Sequence, residues 1–171
     1  MNISIQTELR KSITTAAPWK RTAFILLFLL NLTFAAAFAD ESTDGLTESS
    51  GSLEVKVSSL KSSQGGVMIN LYRTGDGFPT KPQQALEQRY IKPDSNLASV
   101  IFNPLPYGNY AVAVCHDENG NRDCDSNFLG IPQEGVGVSN NAKGFMGPPS
   151  YEDARITLNN SHLSIAIDVS Y

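Results

Sequence analysis

Leu53, Val55 and Val57 alternate with Glu54, Lys56 and Ser58. A period of two puts one face of an extended segment against a core and the other in water, a pattern a helix of 3.6 residues per turn cannot satisfy. The pattern recurs. Gln64-Gly65-Gly66 reads as a turn into a strand over Val67–Tyr72, which Gly75-Asp76-Gly77-Phe78-Pro79 ends. Residues 83–91 read two ways, as a helical turn over Gln83–Gln88 or a strand over Arg89–Ile91. Further strands are expected over Leu97–Phe102 and Tyr110–Cys115, and over Ala154–Leu158 and Leu163–Val169. The last two flank Asn159-Asn160-Ser161 and read as a hairpin. No long helix is expected. Strands with one apolar face each are most economically covered by one another. The expectation is an all-β, antiparallel sandwich of about seven strands, forming a single domain over 53–171 and carrying one long ordered loop.

Phe102-Asn103-Pro104-Leu105-Pro106-Tyr107-Gly108-Asn109-Tyr110 has the form F-x-x-L-x-x-G-x-Y. A Tyr placed just after such a turn can donate back to the backbone at a sandwich corner. The wording resembles the strand-turn-strand of transthyretin-like and carboxypeptidase-regulatory sandwiches, and an immunoglobulin-like arrangement has the same layers. Such a likeness implies architecture and no activity.

The N-terminus carries an address. Trp19-Lys20-Arg21 precedes an apolar run through Phe24–Leu30 that resumes at Leu32, and Ala37-Phe38-Ala39 ends it. Charge, a short apolar core and A-x-A make a secretory signal peptide over 1–39. The alternative is an uncleaved anchor, since Thr22–Ala39 is 18 residues, the low end for a span. Residues 40–52 are Ser, Thr, Gly and acid with one leucine, and are expected to form a flexible leader. Residues 1–39 hold four of the 13 basic and one of the 17 acidic side chains. The remainder, 40–171, therefore has nine basic and 16 acidic residues and a formal charge of −7. That balance disfavours nucleic acid and anionic membranes as partners. No membrane span is expected once the signal peptide is removed.

Between Cys115 and Ala154 lie 38 residues without strand or helix periodicity. Loops of that length inside compact domains are usually functional or disordered. Phe128, Leu129, Ile131, Val136, Val138, Phe145, Met146 and Tyr151 argue against disorder. Asp117, Asn119, Asn121, Asp123 and Asp125 recur at every second position. Hard oxygen ligands at alternate positions of a tight loop suit Ca²⁺. The match to an EF-hand is partial, because the sixth position is Arg122 and the twelfth Phe128. The competing reading is Asx turns held without metal. Cys115 and Cys124 bracket the run and are expected to pair in an oxidising compartment, closing a ten-residue loop worth roughly 2.5–3 kcal/mol. The alternative is two reduced thiols. Phe128, Phe145 and Tyr151 are either anchors that pack the loop down or an aromatic binding surface.

Four stretches in one order carry a resemblance. They are His116-Asp117-Glu118-Asn119-Gly120-Asn121, then Asp125–Gly135, then Gly137-Val138-Ser139-Asn140-Asn141-Ala142, then Gly147-Pro148-Pro149-Ser150-Tyr151-Glu152-Asp153-Ala154. Together they resemble the DUF2141 family of exported bacterial proteins, over about residues 53–170. The resemblance implies export and a small β-rich domain, and no activity. The two cysteines depart from the family's common pattern.

Three function classes remain. A hydrolase-like enzyme would rest on His116 as general base beside Glu118, with Asp117 or Glu134 near. The chain has no G-x-S-x-G elbow, no Walker loop and no G-x-G-x-x-G to support it. A binding module would use the 116–153 loop to recognise an envelope protein or glycan. A structural module would need no ligand beyond Ca²⁺. The expectation is an exported, periplasmic or secreted, non-catalytic module whose loop is the functional surface. Asn159-Asn160-Ser161 also matches an N-x-S sequon and reads more simply as a turn.

Overall fold

The computed structural model describes residues 49–171. The signal peptide expected over 1–39 and most of the expected leader lie outside the described residues. Eight strands follow in order: β1 Ser50–Ser58, β2 Gly66–Tyr72, β3 Glu87–Ile91, β4 Ala98–Pro106, β5 Gly108–Asp117, β6 Gly135–Val138, β7 Ile156–Leu158 and β8 His162–Asp168. Among the described residues the one α-helix, α1, is the four-residue Tyr151–Ala154. β1 begins at Ser50, so Ser50–Ser52 belong to a strand rather than to a leader.

The strands form two sheets. The smaller has the order β4-β1-β8, and the larger β3-β2-β5-β6, with β7 also on β5. Pairing is antiparallel except for β1 with β8, which run parallel and set Leu53, Val55 and Val57 opposite Leu163, Ile165 and Ile167. The antiparallel expectation is therefore corrected at that pair. The Asn159–Ser161 hairpin is corrected too. β7 pairs with β5 and β8 with β1, so this turn carries the chain from one sheet to the other.

The alternation seen in the sequence fills the space between the sheets. Leu53, Val55 and Val57 of β1 meet Val67, Ile69 and Leu71 of β2, Phe102 of β4, and Val112 and Val114 of β5, all buried. At the corner between β4 and β5, the Tyr110 hydroxyl donates to the Pro106 carbonyl at 2.6 Å. This is the bond the F-x-x-L-x-x-G-x-Y wording anticipates.

β5 is large on one face and small on the other. Tyr110, Val112 and Val114 enter the core, while Ala111, Ala113 and Cys115 face outward. Small outward side chains let loops lie close, and a second buried cluster forms there from Tyr72, Ala111, Ala113, Val138 and Ala154. Phe78, Ala85, Ala142 and Tyr151 pack over it. β6 and β7 share one edge of β5, pairing with Ala113–His116 and Gly108–Tyr110 respectively. In the gap between them Ser139 Oγ accepts the Val112 N–H at 2.9 Å and donates to the Ala154 carbonyl at 2.5 Å. A backbone donor that lacks a ladder partner is thus satisfied by a buried side chain.

A self-ligated loop as candidate functional site

β5 ends by placing His116 and Asp117 side by side, both fully buried. Alternation sends them to opposite faces of the strand, and each organises a different part of the molecule.

Asp117 is the hub of the loop. Oδ1 accepts the N–H groups of Gly120 at 2.7 Å and Asn121 at 3.1 Å. Oδ2 accepts the Arg122 N–H at 2.8 Å and the Tyr90 hydroxyl at 2.9 Å. Burial pushes this carboxyl up, but the donors from Arg122, Tyr90, Gly120 and Asn121 outweigh it and hold it below the ordinary carboxylate value. Tyr90 reaches Asp117 from β3 by lying across Gly66, where a Cβ would strike its ring. Arg122 stacks on Tyr90, 4.8 Å from the ring centre. Burial and the Asp117 carboxylate together raise the Tyr90 phenol.

The other alternate residues form a chain of turns. Asn119 Oδ1 accepts the Asn121 N–H at 2.9 Å, Asn121 Oδ1 accepts the Asp123 N–H at 2.7 Å, and Asp123 Oδ1 accepts the Cys124 N–H at 2.9 Å. With their oxygens so engaged, the Asn119 and Asn121 amide nitrogens donate to Asp125 Oδ2, at 2.7 and 3.2 Å. A Ca²⁺ cage needs the oxygens of Asp117, Asn119, Asn121, Asp123 and Asp125 to converge on one point. Here both Asp117 oxygens are filled by protein donors and two amide nitrogens face Asp125. In this arrangement the Asx side chains cap turns of the loop. Among the described residues, the one His/Cys/Asp/Glu group with metal-ligating proximity is Cys115, Cys124 and Glu134. Two of these three are already bonded to each other.

That bond is the Cys115–Cys124 disulfide, with Cα atoms 6.1 Å apart, which ties the loop to the outward face of β5. Beside it lies Glu134, 8% exposed. Its Oε1 accepts the Glu118 N–H and its Oε2 the Asp125 N–H, each at 3.2 Å. Glu134 therefore clamps both ends of the 118–125 turn. Burial raises its carboxyl, and the nearby Asp117 and Asp125 charges add to this against the two backbone donors. Sequence reading gave Glu134 no structural role. The available signal was an acid set between Ile131-Pro132 and Gly135, in a stretch otherwise short of charge.

His116 faces the other way. Its Nε2 lies 3.1 Å from the Gln64 carbonyl, which only accepts, so Nε2 donates there. Nδ1 then accepts from the Tyr171 hydroxyl at 2.6 Å. The same phenol oxygen accepts the Lys61 N–H at 2.9 Å. Glu118 comes within 3.7 Å of Nδ1, on a side where one carboxylate oxygen has no hydrogen-bond partner among the described residues. The Tyr171 ring fits against Gly135, where a Cβ would overlap it. Both ring nitrogens of His116 are engaged inside the protein.

The outer part of the loop differs in kind. Asn127 Oδ1 accepts the N–H groups of Leu129 at 2.9 Å and Ile131 at 3.0 Å, and the Asn127 N–H donates to the Ile131 carbonyl at 2.9 Å. The Gly130 N–H closes the turn onto the Asn127 carbonyl. This rigid turn holds Phe128 and Leu129 out into solvent, 94% and 68% exposed. Phe145 and Met146 stand out on a second tip, at 92% and 94%. Of the three aromatics in question only Tyr151 is an anchor. Its hydroxyl donates to the Arg73 carbonyl at 2.9 Å and its ring meets Phe78 edge-on. The anchoring role expected for Phe128 and Phe145 does not hold, because nothing in the loop curls back to cover them.

The pattern of Asp117, Glu134 and the four ordered stretches lies within residues 55–166, which match the family model described as "Uncharacterized protein conserved in bacteria (DUF2141)". The chain belongs to the DUF2141 family. No curated protein and no solved structure matches it. For this DUF2141 member, among the described residues no helix is long and apolar enough to cross a membrane.

Proposed function

We propose that the protein is an exported, non-catalytic binding module, and that its 116–153 loop is the recognition surface for another envelope protein. The observation that carries this is the exposure of Phe128 and Phe145, the first on a turn fixed by hydrogen bonds to Asn127. Each tip exposes two adjacent large apolar side chains, Phe128 with Leu129 and Phe145 with Met146, and apolar surface held in water costs free energy that a partner relieves. A preformed turn loses little entropy when it docks. The −7 charge of residues 40–171 argues for a protein rather than an anionic bilayer as the partner.

Export is supported by the disulfide and by the signal pattern of residues 1–39. The non-catalytic reading is supported by His116, fully buried with both nitrogens engaged, so that it is not offered to a substrate as a general base. The loop stands without Ca²⁺ in this reading, with backbone N–H groups supplying the positive ends that a cation would otherwise supply.

Site-specific photo-crosslinking in the native host tests the proposal. A benzophenone amino acid replaces Phe128 or Phe145, with Thr157 on β7 as the control. The same discrete adduct from both tips and none from Thr157 is expected. Adducts absent from the tips, or identical at the control, reject the surface.

A further inference from the structure

A second surface lies apart from the two apolar tips, on the outward face of the larger sheet. There a groove of about 750 Å³ opens between the Asp117 loop and the short 3-10 turn Pro82–Gln84. Its floor comes from cross-strand pairs of β2 and β3, Met68 opposite Tyr90 and Asn70 opposite Gln88. Its walls are Gln83 on one side and Arg122 with Asp123 on the other. The volume is in the range of small-ligand sites.

Asn70 is the informative residue. It sits between Ile69 and Leu71, whose side chains enter the core, so its own side chain is directed into the groove. It is 8% exposed, and its carboxamide makes no hydrogen bond among the described residues. The amide therefore opens onto the groove floor, where it is free to pair with water or with a ligand. Arg122 points the same way. Its guanidinium stacks on Tyr90 and has no ion-pair partner among the described residues. Gln88 is fixed by donating to the Pro82 carbonyl, which ties the floor to the wall and keeps the groove open.

The lining determines the class of ligand. Arg122 only donates, Asp123 only accepts, and Asn70, Gln83 and Gln88 do both. The charges of Arg122 and Asp123 cancel. Vicinal hydroxyls, each able to donate and accept, match this mixture, while an anion would meet Asp123 and a cation Arg122. Met68 supplies a small apolar patch for the carbon face of a sugar ring. We infer that the groove floored by Asn70 and walled by Arg122 and Gln83 is a binding site for an uncharged saccharide. It is separate from the protein-binding tips and stands or falls independently of them.

The test uses ¹⁵N-labelled purified protein titrated with chitotriose, cellotriose, maltotriose and mannotriose, and with trigalacturonate as the anionic comparison. At least one neutral trisaccharide is expected to shift the Asn70 side-chain amide and the Arg122 Nε–H signals in a saturable way. Asn70→Ala and Arg122→Gly are each expected to weaken that binding at least tenfold. Gln83→Ala, on the exposed wall, gives the same direction without touching the buried floor, should Asn70→Ala fail to fold. Phe128→Ser with Phe145→Ser is expected to leave saccharide binding unchanged. No shift with any neutral sugar at 10 mM, shifts unaffected by the groove variants, or a response to trigalacturonate alone would each overturn the inference.

Discussion

The Tyr90 hydroxyl donates to Asp117 Oδ2 at 2.9 Å, so the final residue of β5 is tied to the edge strand β3 across the intervening β2. The loop that follows Asp117 is folded onto the sheet through this carboxylate, together with the disulfide and Glu134. Removing it should be felt beyond its own hydrogen bonds.

Asp117→Ala is expected to destabilise the fold by about 3 kcal/mol, since bonds to a charged acceptor contribute about 1.5–3 kcal/mol each and the freed N–H groups remain partly buried. Urea denaturation gives the value. Asp117→Asn should lose less, because one oxygen can still accept.

Asp117 and Glu134 should shape the pH dependence in opposite directions. The Asp117 carboxyl is depressed in the folded state. Its contribution is therefore present above its unfolded value of about 3.9 and is lost as pH falls through the lower folded value. Glu134 is raised. The folded state holds its proton more tightly, so stability falls as pH rises from about 4.3 through the raised value. Melts across pH 2–8 are expected to lose the acid limb in Asp117→Asn and the upper limb in Glu134→Gln.

Cys115→Ala with Cys124→Ala should cost roughly 2.5–3 kcal/mol by the loop-entropy argument. The turn itself is expected to survive, because Asp117 and Glu134 clamp it by separate bonds. Retained tip crosslinking in this variant, at a temperature where it remains folded, checks the point.

Tyr72 offers a case of the opposite sign. Its hydroxyl is buried without a hydrogen-bond partner among the described residues, and burial pushes its phenol up to about 12. Tyr72→Phe removes an unsatisfied polar atom and keeps the edge-on contact with Phe78. It should be neutral or stabilising by about 1 kcal/mol, measured as a rise in melting temperature.

Sequence periodicity revealed much of the sandwich and less of the site. Leu53, Val55 and Val57 announce β1 because a half-buried strand must alternate, and Tyr110 announces the corner because its hydroxyl needs a partner one turn back. β6 escaped notice because Gly135-Val136-Gly137-Val138 is four residues long and half glycine. Its pairing is set by β5 rather than by its own propensity. Asn159-Asn160-Ser161 misled because a turn signal fixes where a chain reverses and not which sheet receives it. Alternating Asx residues serve cation ligation and turn capping equally well, and only the positions of the Asn119 and Asn121 amides distinguish the two. Phe128 and Phe145 lie in stretches without periodicity, where apolar character alone does not say whether a side chain is covered.

Central to the proposed function is a loop that holds its shape through Asp117 and presents its tips without help from a metal. Amide hydrogen exchange of the purified protein in EDTA measures this most directly. The Gly120, Asn121 and Arg122 N–H groups are predicted to exchange slowly, as donors to a buried carboxylate, and to keep the same rates when millimolar Ca²⁺ is added. Fast exchange in EDTA that slows only with Ca²⁺, and does not slow in Asp123→Ala, would contradict the account and return Asp117, Asn119, Asn121, Asp123 and Asp125 to the role of calcium ligands.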